Sequence, residues 1–326
     1  MTLVALLSNP MSTGNRSGLP EVRAYCARHP DIFHYEVEEV DQIARALESI
    51  ARVKPKVLVI NGGDGTVQAT LTEMHQGGHF GDNPPPVAVL PNGKTNLIAL
   101  DLGADGNSLA ALERIVDIAA NDLDSHVIER QMIALSDGAD NSRPVLGMFL
   151  GGAGLAEIIL YCRNKIYPLG LSNNLSHFLA ACATIVAMLF NVSARFLPKT
   201  SSTMRISMIR HGEIQGSFAL LMVTTLEKLL LRSTTKEDAT LDPVGKMKFV
   251  AVENNRAGLW TMVRDTIFGR FGTRPGAGLH LERDDVIQIE GERGCVVLDG
   301  ELFEAKHGKP ITLRTTEPMP FLRIAA

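Results

Sequence analysis

The chain has 326 residues, 45% of them hydrophobic, which is enough apolar material for a sizeable core, and its length suggests two domains rather than one. A formal net charge of −4 and a pI near 6.2 provide no global basic field, so nucleic acid is not an expected partner and any anionic surface would have to be met by a local patch. The four cysteines, Cys26, Cys162, Cys182 and Cys295, lie far apart without metal-ligand spacing, which fits reduced thiols in a cytoplasmic protein.

The N-terminus has no basic n-region and its apolar run is too short for a signal peptide, so LVALLS (3–8) reads as a first strand. A helix follows around Glu21 to Arg28, then a strand in IFHYEVE (32–38), then a helix in DQIARALESIAR with Asp41 as its N-cap. KVLVI (56–60) is the next strand, a helix begins at about Thr66, VAVLP (87–91) is a further strand, and SLAALERIVDIAA starts a helix at Ser108. Strands that are continuous apolar runs, each followed by a helix, indicate a parallel sheet covered on both faces. Residues 1–127 therefore read as an α/β nucleotide-binding domain.

From residue 128 to 326 the pattern changes to short alternating segments such as MRISMIRH, KMKFVAVE, GLHLERDDVIQIE and ITLRTT, with turn residues between them. This half reads as a mostly antiparallel, β-rich domain with helical insertions, whose last segment, about 305–326, can return to the first domain. A ligand is expected in the cleft between two such domains. One stretch, Ile166 to Ala194, has no Asp, Glu, Lys or Arg, and LSHFLAACATIVAMLFNV (175–192) is almost long enough to span a bilayer. Its apolar face and its stripe of small residues fit a helix packed against its own domain; no strong flanking charge asymmetry supports the alternative, membrane insertion.

The chemistry concentrates in VLVINGGDGTVQATLTEM (57–74). A glycine-rich turn after a parallel strand lets backbone amides approach a ligand, and the following helix N-terminus favours an anion. Gly62, Gly63 and Gly65 make a phosphate cradle, and Thr66 adds a hydroxyl donor or caps the helix. Asp64 is repelled by phosphates unless a divalent cation lies between them or it accepts a proton from a reacting hydroxyl, which points to phosphoryl transfer. A tight turn with a capping Asp is the plain structural alternative. SNPMSTGNRSG and PNGKTN place further Asn, Ser, Thr and Gly at strand ends, the edge where open α/β sheets bind ligands. GKT is not the end of a P-loop, because Ala88 stands where that motif requires a glycine.

GGDGT together with these loops, with FLGGAGLAEII (149–159) and with VVLDGELFE (296–304), resembles the diacylglycerol kinase catalytic domain family, which includes bacterial lipid kinases and sphingosine kinases and is related to NAD kinases. The resemblance runs over most of the chain in the right order. It implies that Gly62, Gly63, Gly65 and Thr66 hold ATP phosphates, that Asn9, Ser12 and Arg16 border them, and that Gly93 and Asn96 flank the nucleotide, while Lys94 between them can add a point charge to a phosphate. It implies Glu301 as the general base toward an acceptor hydroxyl and Asp64 as a catalytic and magnesium-binding carboxylate, with ATP and Mg2+ as cofactors. A hairpin turn is the structural alternative for Asp299 and Glu301.

The chain departs from the family's P-x-G-T-x-N-D pattern: Lys94 replaces the Thr and Leu97 the acid. Asp101 lies one helical turn later and would be displaced by about 5–6 Å. DPVGKMKF keeps only Asp242 and Gly245 of an Asp-Gly pair, so a structural metal site is not carried over. The histidines form no ligand-like cluster. RAGLWTMVRDTIFGR (256–270) interleaves arginines with apolar residues; the plainer expectation is a helix whose apolar face joins the core, the alternative peripheral docking on an anionic bilayer.

The expected function is an ATP-dependent lipid kinase acting on a hydroxyl of a diacylglycerol-like or sphingoid lipid. The alternatives are a kinase of a soluble hydroxyl metabolite and a non-catalytic nucleotide-binding relative. The expected location is cytoplasmic, with peripheral contact at the inner membrane surface left open, as is a homo-oligomer.

Overall fold

The computed structural model describes residues 2–104, 106–137, 143–156, 202–227, 246–268, 270–291, 295–305 and 309–325. The charge-free stretch 166–194, with Cys162 and Cys182, and the pair Asp242 and Gly245 lie outside the described residues. The chain divides into unit 1, Met1–Met132 with Glu317–Ala326, and unit 2, Ile133–Thr316.

Unit 1 contains β1 (Val4–Ser8), α1 (Asn15–Arg28), β2 (Ile32–Glu36), α2 (Ile43–Val53), β3 (Val57–Asn61), α3 (Asp64–Gln76), β4 (Val87–Val89), α4 (Leu97–Asp101), α5 (Ser108–Asn121), α6 (Leu123–His126) and β5 (Val127–Arg130). It is completed by a strand from the C-terminal segment, Met319–Leu322. The six strands form one sheet in which β2, β1, β3, β4, the C-terminal strand and β5 are neighbours in that order. All pairs are parallel except that of β5 with the C-terminal strand. Every residue of β1, β3 and β4 is buried, as continuous apolar runs covered on both faces require. β2 is one of the two edge strands and is only partly buried beyond Ile32, which suits its polar His34 and Glu36. On α2, Ile43, Ala46, Leu47 and Ile50 repeat at helical spacing and form the buried face.

Three helix starts differ from the sequence expectation. The first helix begins at Asn15 rather than Glu21, with Pro20 inside it, because the Asn15 side chain ties the first turn to the ends of β1 and β3. Asp41 caps no helix; it lies in a 3-10 turn, Val40–Gln42, where Glu39 and Gln42 form a reciprocal capping box. The helix after β3 begins at Asp64 rather than Thr66, with Gly63 at the N-cap.

Unit 2 is built of β6 (Ile133–Ser136), β7 (Val145–Gly147), β8 (Phe149–Gly152), β9 (Ser202–Met208), β10 (Gly212–Thr224), β11 (Met247–Glu253), α7 (Arg256–Ile267), β12 (Leu279–Asp284), β13 (Val286–Gly291), β14 (Cys295–Leu298), β15 (Glu301–Glu304) and β16 (Ile311–Thr315). Numbered in this order, the C-terminal strand of unit 1 is β17. The eleven strands among the described residues of unit 2 make one sheet, antiparallel throughout. Its core gathers the inward residues of several strands, among them Ile133, Leu150, Ile206, Phe218, Phe249, Ile289 and Leu313. The mostly parallel α/β unit and the antiparallel β-rich unit are those expected from the change in hydrophobic period. Long β10 makes the sheet branch: its first part pairs with β9, its second with both β8 and β11.

Candidate functional site

In unit 1, β2 and β3 lie on opposite sides of β1, so the strand order reverses at the β1/β3 pair, the place where open α/β sheets bind ligands beyond the strand carboxyl ends. Three loops leave the sheet here, after Ser8, Asn61 and Val89. They are joined by asparagines. The Asn15 amide nitrogen donates to the carbonyls of Asn9 (2.8 Å) and Asn61 (2.9 Å). Asn61 Nδ2 donates to Ser8 Oγ at 3.0 Å, Asn92 Nδ2 donates to Asn61 Oδ1, and Ser108 Oγ donates to Asn92 Oδ1 at 2.7 Å. Asn61, Asn15 and Asn92 are buried, so each amide needs these partners to offset its lost hydration.

The predicted nucleotide residues come together around this network. Asn9 Nδ2 donates to Thr66 Oγ1 at 2.9 Å, and its Oδ1 accepts the Met11 amide at 2.8 Å. Thr66 is thus tied to the first loop and does not cap its helix. No side chain caps α3 either, so its first amides are left to other acceptors. A Cβ on Gly62 would meet the Thr66 side chain at 2.7 Å, whereas on Gly63 it would meet only Ser12 Cβ at 3.8 Å. Gly62 is there for close packing, Gly63 for open space. Gly65 lies in the first turn of α3, and Arg16 is exposed in the first turn of α1.

Asp64 and the third loop are interlocked. Asp64 Oδ2 accepts from Thr95 Oγ1 at 2.8 Å and from the Thr95 amide at 3.3 Å, and a Cβ on Gly93 would lie 2.8 Å from Asp64 Oδ1. The Gly93 amide donates to Asn96 Oδ1 at 2.6 Å, and Asn96 takes a left-handed φ of 53° at the start of α4. Lys94 is exposed on the same loop. Asp101 does not stand in for the acid missing at Leu97: it is 3% exposed and ion-paired with Arg130 at 3.3 Å.

Ser8, Asn15, Asn92 and Thr95 were legible only as part of polar loops at strand ends, and Asn61 and Ser108 were not singled out from the sequence. Their signal was present, since polar residues that end or closely follow buried apolar runs must find partners. His34 extends the network, its Nε2 lying 2.9 Å from Ser8 Oγ. Burial pushes the His34 pKa below its ordinary value of 6.5, with nearby Glu36 opposing the shift. The folded state therefore binds fewer protons than the unfolded chain between the two pKa values. The His34 contribution to stability is complete above about pH 6.5 and is lost as the pH falls through the lower folded-state pKa. Thermal melts should show a larger loss of stability from pH 7 to pH 5 for the native chain than for His34→Asn; equal losses would exclude this histidine as the cause.

Cys26 is buried and its thiol is pushed up to about 11 by desolvation, which keeps it protonated and unsuited to nucleophilic work. In unit 2, β14 and β15 form a hairpin in which Leu298 pairs with Glu301, and Asp299 and Gly300 have φ of 46° and 90°. Both turn residues are left-handed, as a two-residue primed turn requires. Asp299 is structural: its carboxylate accepts from the amides of Met148 at 2.9 Å and Phe149 at 3.0 Å. Glu301 begins β15, an edge strand, and is half-buried.

The expectation that the apolar face of 256–270 joins the core is overturned for most of that face. Trp260, Ile267 and Phe268 are exposed, while Gly258, Leu259, Thr261 and Asp265 are the buried residues of α7.

A glycine turn at the switch point of a parallel sheet, held open beside an uncapped helix end, defines unit 1 as an α/β domain of the phosphate-binding kind. Residues 4–128 match the family model of the diacylglycerol kinase catalytic domain. A crystal structure of a diacylglycerol kinase from Bacillus anthracis str. Sterne is similar to 97% of this chain and 94% of its own, with a TM-score of 0.62 at 19% identity. At that identity the likeness establishes the fold, and it does so for both units. A more distant likeness, with a TM-score of 0.49 at 12% identity over 98% of this chain and 93% of the other, is to an NAD kinase from Archaeoglobus fulgidus in complex with ATP. None of the curated proteins matches this chain in sequence.

Proposed function

We propose that the chain is an ATP-dependent lipid kinase that phosphorylates a hydroxyl of a diacylglycerol-like or sphingoid lipid. The observation that carries this reading is the Gly63 turn: an open glycine at an uncapped helix end, facing a buried Ser12 hydroxyl that has no hydrogen-bond partner. An unpaired buried hydroxyl beside free helix amides fits a phosphate acceptor.

The residues present fit ATP phosphates at Ser12, Gly62, Gly63, Gly65 and Thr66, with Asn9 holding Thr66 in place and Arg16 and Lys94 supplying positive charge from exposed positions. Gly93 and Asn96 shape the adjoining loop. Among the described residues no three His, Cys, Asp or Glu side chains gather as a cage. Asp64 fits a magnesium ion held mainly by phosphates and water, a common arrangement for this ion. When bound, magnesium supplies charge neutralisation at the transferring phosphoryl group. Glu301 takes the proton from the acceptor hydroxyl as general base, while the cradle amides orient the phosphates and resist their movement.

A second reading has its own support. Leu97 stands where the family has an acid, and Asp101 is committed to Arg130, so the chain fits a non-catalytic nucleotide-binding relative as well. One assay separates the readings: magnesium-dependent ADP release, screened against lipid and soluble hydroxyl acceptors. Release with a lipid acceptor supports the proposal, release only with soluble acceptors replaces the substrate class, and ATP binding without release with any acceptor favours the non-catalytic reading.

A further inference from the structure

We propose that the outer face of α7 is a membrane-docking stripe that seats unit 2 on an anionic lipid surface. The inner face of this helix is settled by close packing. Gly258 lies where a Cβ would meet the Glu253 carbonyl oxygen at 2.7 Å and the Gly278 carbonyl oxygen at 2.9 Å, Thr261 Oγ1 donates to the Ala277 carbonyl at 3.1 Å, and Leu259 is buried. After the helix the chain turns back, the amides of Arg270 and Phe271 donating to the Asp265 carbonyl at 2.6 and 3.0 Å, and buried Phe271 anchors the turn. This geometry leaves outside what the core did not take.

What remains outside is ordered. Arg256, Trp260, Arg264, Ile267 and Phe268 follow one another at three- and four-residue helical steps or adjoin, and so share one face. Trp260 is 62% exposed, Ile267 74% and Phe268 66%. The Arg270 guanidinium lies 6.0 Å from the Phe268 ring centroid, within cation–π range, and Arg274 is exposed just beyond. The acid of this helix, Asp265, is buried and neutralised by Arg264 at 2.9 Å, so the stripe presents apolar side chains and positive charge. Large apolar and aromatic residues flanked by arginines on a helix lying along a surface are the chemistry of the headgroup boundary.

A second copy of the chain is a poorer occupant. Three apolar side chains fall well short of the roughly 800 Å² per partner of a standard protein interface. A bilayer needs no such area, because embedded apolar groups and attracted arginines act together.

The proposal stands on the surface of unit 2 and does not depend on the kinase reading. Trp260 is the only tryptophan of the chain, so its fluorescence reports on the stripe directly. The full chain, without nucleotide, is mixed at low salt with phosphatidylcholine vesicles with or without phosphatidylserine. Pelleting with the phosphatidylserine vesicles, together with a shift of Trp260 emission to shorter wavelength that salt reverses, is the expected result. Arg256→Ala with Arg270→Ala should lower partitioning about 25-fold, at roughly fivefold for each basic residue; Arg264 is left intact because it neutralises buried Asp265. Trp260→Ser, Ile267→Ser and Phe268→Ser together alter only exposed positions, and this variant should stay in the supernatant. No pelleting, pelleting without an emission shift, or pelleting that survives the triple substitution would overturn the proposal. So would self-association in the absence of vesicles that the triple substitution abolishes, which would assign the stripe to a second copy. ATP binding, measured separately, tells failure of docking from failure of the kinase reading.

Discussion

Glu301→Gln should lower phosphoryl-transfer turnover by about 10²- to 10⁴-fold and leave ATP affinity near its native value. Glutamine keeps the size and most of the hydrogen bonding of the side chain but cannot take a proton. The substitution is also structurally mild, since Glu301 is half-buried on an edge strand. Its neighbour is the control. Asp299→Ala would strip the buried Met148 and Phe149 amides of their acceptor, at a cost of about 1–3 kcal/mol for each, and should lower the melting temperature whatever the reaction. Asp64→Asn should weaken both turnover and magnesium-dependent nucleotide binding, while an Asn oxygen can still accept from Thr95 and hold the third loop. Steady-state kinetics beside nucleotide titrations separate these outcomes, and near-normal turnover in Glu301→Gln would transfer the base to Asp64.

Gly63→Val should weaken ATP binding by about 10- to 100-fold in a protein that remains folded. The two adjacent glycines differ in what surrounds them. At Gly63 the backbone is extended, with φ −79° and ψ 174°, and a Cβ has only Ser12 within ordinary contact distance, so a side chain there fills the space offered to a ligand rather than the space used for packing. At Gly62 a Cβ would meet branched Thr66 at 2.7 Å, and Gly62→Ala should cost about 1–3 kcal/mol of stability. Calorimetry of ATP binding and thermal melting of both variants would test the pair. Unchanged ATP affinity in a folded Gly63→Val chain would place the cradle elsewhere.

The two unit types were legible because hydrophobic period survives in the sequence: unbroken apolar runs for a sheet covered on both faces, alternation for the antiparallel one. GGDGT was legible for a related reason. Bare backbone followed by a helical pattern has few uses, and the strand that carries it, β3, is entirely buried. Local chemistry did not reveal the helix starts. Asn15 opens α1 because its side chain reaches the carbonyls of Asn9 and Asn61, the latter far away in sequence, and a proline inside the helix hid that start.

What the sequence determined by itself is the α/β-then-β order of the chain and the glycine turn at a strand end. These depend on period and on the conformational freedom of glycine, both of which are local. Tertiary structure alone decided that Asp101 is spent on Arg130, that Asp299 holds two amides, and that the C-terminal strand inserts between β4 and β5. It also decided which side of α7 faces outward. A helix with apolar residues on more than one side can bury only the side its neighbours approach closely enough, and here Gly258 admits that approach, leaving Trp260, Ile267 and Phe268 in solvent.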